Sequence, residues 1–131
     1  MYLQVCGALS ISALILNLRD FRMLVISMMV VVSIFVPVPS SNAESFYTFC
    51  VLFEILVAVI AWATRKEAGF LIANACVLLV IAHVMGYSLD GSVPLSPYHV
   101  IVKILELVEL GICVALSPVI APILRNQDAP I

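Results

Sequence analysis

The sequence predicts an all-α, polytopic transmembrane bundle of about five spanning helices, and three observations carry that expectation. Of the 131 residues, 64% are hydrophobic and only 11% are charged, against roughly 25% charged in an average soluble domain. A soluble fold of this size has too little interior to hide so much apolar surface, so the missing solvent is lipid. Apolar stretches of similar length recur along the chain, each set off by a few polar or helix-breaking residues. The basic residues then fall at alternate breaks, the pattern of a chain that threads back and forth across a bilayer.

The first span, 2–18, closes at Arg19-Asp20, which with Arg22 makes a tight polar hairpin before the second span, 21–36. Pro37 and Pro39 stop that helix ahead of Ser40-Ser41-Asn42, because proline lacks the backbone donor and disfavours helix at the residue before it. The third span covers 46–64 and breaks at Arg65-Lys66-Glu67. The fourth covers 69–89 and yields to the longest loop, with Asp90-Gly91, Pro94 and Pro97. The fifth covers 98–117, and Pro118 and Pro122 are expected to end it. At about 1.5 Å per residue these runs reach roughly 24–32 Å, close to the thickness of a hydrocarbon core.

Arg19, Arg22, Arg65, Lys66 and Arg125 all fall on one side of a five-crossing arrangement, and the two opposite loops hold no Lys or Arg. Short basic loops stay in the cytoplasm, so the N-terminus is expected outside and the C-terminus cytoplasmic. Residues 22–43 resemble a signal peptide, with Arg22, an apolar run and Ser41-Asn42-Ala43. That segment starts too late and behind another apolar stretch, so an uncleaved chain is expected. No repeat or low-complexity tract divides the sequence, and residues 1–131 are read as one transmembrane domain, integral to a membrane of the bacterial inner type.

A net charge of −2 without clustered Lys or Arg excludes nucleic acid as a partner;. Cys6, Cys50, Cys76 and Cys113 stand singly in apolar runs with no metal-binding spacing and read as small hydrophobes. No nucleophile–base pair, phosphate-binding glycine loop or HExxH pattern is present, so no enzyme activity is expected. Ser96 and His99 share a loop with two prolines and read as turn chemistry. His83 and His99 could ligate haem or metal, but their different depths argue against one group between them. No cofactor and no metal are expected.

The informative residues are ionisable groups inside the apolar spans: Glu54 in the third, His83 in the fourth, and Lys103, Glu106 and Glu109 in the fifth. Each costs on the order of 2.5–3.5 kcal/mol at mid-bilayer, so such groups face protein or water. In the fifth span about eleven Leu, Ile and Val contribute roughly −5 kcal/mol, while the three charges oppose that by about +8, so this helix needs partners. Their spacing of three places them on one stripe. Two of them are like-charged neighbours, which favours a shared proton or a bound cation.

Two readings of the cluster follow. One is a proton or cation path; the other is an internally neutralised network, Lys103 with Glu106 and Glu54 with His83, that fixes helix register or docks a partner. Either way the chain is expected to work as a subunit of a membrane complex or as a self-assembling helical bundle, with membrane lipids, its own copies or other membrane subunits as partners. A holin-like protein that permeabilises the membrane is the alternative from a different class.

Overall fold

The computed structural model describes residues 1–38, 41–88 and 97–127. Those residues form α1 (Tyr2–Leu16), α2 (Phe21–Phe35), α3 (Ala43–Ala63), α4 (Glu67–Ser88), α5 (Pro97–Ala115) and α6 (Ile120–Gln127), with no strand among them. Leu89, residues 90–96 of the predicted loop, Pro39 and Ser40 lie outside the described residues. The first five helices fall on the five predicted spans to within three residues at each described end.

Local chemistry sets most boundaries. The Asn17 side-chain amide turns back onto Ala13 O at 2.8 Å and closes α1 two residues before the predicted end. Asp20 then caps α2, its Oδ1 accepting from the Met23 amide at 3.4 Å, and Asn42 caps α3 by accepting from Ser45 N at 2.8 Å. Such caps satisfy amides that a helix start leaves unpaired. The α3–α4 turn is tight enough to hold Arg65 at φ 54°, and a side chain on Gly69 would run into Ala61 O and Thr64 Oγ1.

The far end of α5 departs from expectation. The chain bends by 84° and continues as α6, because Ser117 caps the new helix, its Oγ accepting from Ile120 N at 3.2 Å and its carbonyl from Ala121 N at 3.0 Å. Pro122 lies in the first turn of α6, where a missing amide hydrogen costs nothing. Pro118 does end α5, but Pro122 helps to start the next helix.

α4 has the most buried residues of any helix and pairs extensively with α3; it also packs on α5, which joins the two halves by touching α1 and α2 as well. The burial pattern is the reverse of a soluble bundle. Leu52, Ile55, Leu56 and Val59 face outward on α3 while Glu54 between them is buried, and Ser27, Asn17, His83, Glu109 and Ser117 are buried too. α3 and α4 are long and apolar enough to cross a membrane, and α5 with α6 makes a third candidate if the bent pair counts as one. α1 and α2, at 15 residues each, are apolar but shorter, reaching about 22 Å.

One end of the bundle collects the α1–α2 turn, the α3–α4 turn and the α5–α6 corner. There Lys66 pairs with Asp20, Arg125 Nη2 lies 3.1 Å from Glu67 Oε2, and Arg22 Nη1 donates to Thr64 O at 3.5 Å. We refer to it as the basic end. Burial alone would raise the Asp20 carboxyl, but the bonds from Lys66 and the Met23 amide outweigh it and hold that group below its ordinary value.

Candidate functional site

Along α5 Glu106, Glu109 and Cys113 recur, with Ser117 just beyond its end, three or four apart and therefore on one helix face. That face turns inward, while Ile101, Ile104 and Val108 point outward. Turning a carboxylate away from an apolar exterior removes a penalty of several kcal/mol, which is the physical reason for this rotation. Glu109 is 1% exposed.

Across from it, α3 contributes Glu54, 6% exposed, and α4 contributes Cys76, fully buried. One ligand atom from each of the three residues lies within 4.8 Å of the other two, and Cys76 Sγ donates to Glu109 Oε1 at 3.2 Å. Two carboxylates this close in a dry place do not both keep a full charge without a counter-ion. They can share a proton, or with the thiol they can hold a cation through two oxygens and a sulfur.

A partly open cleft of about 680 Å³ leads to this triad from the end opposite the basic one. It lies between the C-terminal part of α2, the start of α3, and α4 and α5, and its lining includes Glu54, His83, Tyr98, Lys103 and Glu106. Glu54 thus belongs to both the cleft and the triad. His83, 6% exposed, meets the Tyr98 hydroxyl through Nδ1 at 2.9 Å. Tyr98 sits against Gly86, where a Cβ would come within 2.6–2.9 Å of three of its ring carbons. Tyr47 adds a second ring, with centroids 5.8 Å from Tyr98 and 5.6 Å from Tyr87.

All five sequence-predicted residues are on or beside this site, but they pair differently than expected. Glu106, half-buried, accepts from the Tyr2 hydroxyl of α1. Lys103 is exposed and holds its Nζ 5.2 Å above the Tyr2 ring, a cation–π arrangement. Neither a Lys103–Glu106 nor a Glu54–His83 ion pair is formed among the described residues; Tyr2 and Tyr98 take those places. His99 stacks edgewise on Tyr98, centroids 5.0 Å apart.

Sequence reasoning missed Cys76, Tyr2 and Tyr98. Tyr2 and Tyr98 stand near span ends and read as interfacial aromatics. Cys76 carried a signal: it lies seven residues before His83, on the same face of one helix. Comparison with models of known families, with curated proteins and with solved structures finds no match.

Proposed function

We propose that this chain is a small multi-pass membrane protein whose buried Glu54–Cys76–Glu109 cluster exchanges protons or another small cation with the compartment facing its cleft, acting as a subunit of a membrane complex or a self-assembled bundle. The observation that carries this reading is inside-out burial: Glu54 at the foot of the cleft and Glu109 behind it are buried, while Leu and Ile on the same helices face outward. That pattern is costly in water and natural in lipid. In this reading the first five helices cross the bilayer, α1 and α2 with local thinning, and α6 lies along the interface. The basic end faces the cytoplasm and the cleft faces outward, to the periplasmic side of an inner-type membrane.

Inward placement of Glu54, His83 and Glu109 favours an internal site over docking groups, because a docking charge must reach the surface. Of the five, only Lys103 is exposed. It also weighs against the permeabilising alternative, since a hole formed between many copies needs an outward polar stripe to line it.

Reconstituting the purified chain in vesicles that enclose a pH indicator, with a potassium gradient and valinomycin to set the voltage, tests the reading. Voltage-driven proton or cation movement that is lost in a Glu54→Gln, Glu109→Gln double variant is expected. Equal movement in wild type and double variant, or none in either, refutes it.

A further inference from the structure

The outer cleft has a counterpart at the other end of the bundle. A second, of about 350 Å³, lies at the basic end and is lined by Asp20, Met23, Lys66, Ser117 and Arg125 among others. Between the two clefts runs the inward face of α5, on which Glu106 borders the first cleft, while Ser117, two residues past its end, borders the second. Those residues are eleven apart, about 16 Å along the helix. Glu109 and Cys113 stand between them.

Around Cys113 the core carries polar side chains. Cys113, Ser27 of α2 and Asn17 of α1 are all fully buried. Asn17 Nδ2 donates to Ala13 O at 2.8 Å and Cys113 O at 2.9 Å, with Ser27 Oγ at 3.3 Å. Rotating the amide would point its oxygen at two carbonyls, so the orientation is fixed by its neighbours. That leaves Asn17 Oδ1 buried with no hydrogen-bond partner. A buried acceptor in this position is ordinarily satisfied by water. Ser27 lies one turn from Met23 on α2, and Cys113 four residues before Ser117 at the α5–α6 corner, so this group is about 6 Å along the chain from residues that wall the second cleft.

We propose that protons cross this chain inside a single protomer, entering through the outer cleft to the Glu54–Glu109 pair and leaving along a seam of Cys113, Ser27 and Asn17-held water to the cleft at the basic end. The inference rests on the proton-exchange reading above and adds the second half of the path. Each hop moves a proton between carboxyl, water and hydroxyl, with no net chemistry: Glu109 takes one from the cleft side and releases one toward the water at Asn17. Asn17 does not itself carry the proton; it is a positioning residue. An axial path between copies is not required.

The competing role for such a seam is interhelical glue, which would affect folding and leave flux per folded molecule untouched. Vesicle flux is therefore measured for wild type, Glu109→Gln, a Ser27→Ala, Cys113→Val double variant and a Ser27→Ala, Cys113→Ser double variant, each normalised to protein that elutes as the wild type does. Loss of flux in Glu109→Gln, a drop of roughly tenfold in the Ala/Val variant and recovery in the Ala/Ser variant are expected. Wild-type flux in the Ala/Val variant with Glu109→Gln silent overturns the seam and leaves the acidic cluster standing. A silent wild type overturns both. If the Ala/Val variant does not fold, Ser27→Ala alone serves, and an undiminished rate there overturns the seam.

Discussion

Replacing Glu109 by Gln is expected to make the protein more stable while removing the proposed proton movement. The side chain is 1% exposed, its oxygen already accepts from Cys76 Sγ at 3.2 Å, and the Glu54 carboxylate is within 4.8 Å. Glutamine keeps the acceptor for Cys76 and offers an amide donor on the side of Glu54, so the pair no longer needs a shared proton or a counter-ion. Replacing a poorly compensated buried ionic group often stabilises by about 1–4 kcal/mol, and the retained acceptor and near-equal volume place this case at about 1–2 kcal/mol. Thermal unfolding in detergent, followed by helical circular dichroism and by Trp62 fluorescence, should show a Tm raised by roughly 3–8 °C. A variant less stable than wild type by about 1 kcal/mol or more would refute the reasoning. It would mean that the Glu109 charge is fully compensated and structural.

Gly86→Leu drives a side chain into the Tyr98 ring, within 2.6–2.9 Å of its carbons at Cβ alone, and should cost about 2 kcal/mol in the same melts while separating Tyr98 from His83. Arg65→Gly relieves the φ of 54° and should gain about 1 kcal/mol, checked by the same Tm. Asp20 gives an acid-side test. Its carboxyl is held below the ordinary value by Lys66 and the Met23 amide, so its contribution is complete above about pH 4 and is lost as pH falls through the lower folded value. Wild type should therefore lose up to about 1 kcal/mol more than Asp20→Asn in that acid window, and parallel pH–stability curves would contradict it.

The helical plan was legible because each break is written in residues that act locally: Arg19-Asp20 as a polar hairpin, Pro37 and Arg65-Lys66 as interruptions, Pro118 as a stop; the caps at Asp20 and Asn42 were not read, and α3 accordingly starts three residues earlier than expected. α6 was not legible, because Pro122 breaks a helix from its middle and starts one from its first turn, and only the position of Ser117 decides which applies. Glu54, His83, Lys103, Glu106 and Glu109 stood out by the cost of charge in an apolar run. Their partners did not, because periodicity gives the face a residue occupies and not the face of the helix it meets. α1 approaches α5, bringing Tyr2 to Glu106 and Asn17 to Cys113, and no local signal encodes that approach. Cys76 and Cys113 were hidden for another reason, since cysteine in an apolar run has the hydrophobicity of its neighbours and shows its polarity only when a carboxylate or a hydroxyl stands opposite.

Carboxyl groups that hold an exchangeable proton in a dry place react with dicyclohexylcarbodiimide in preference to solvated carboxylates. The measurement is peptide mapping of the membrane-embedded protein after treatment at neutral pH. Adducts on Glu54 or Glu109, with the exposed Glu44 and Glu67 unmodified, are the expected result; modification confined to Glu44 and Glu67, or absent from both buried residues, would contradict it.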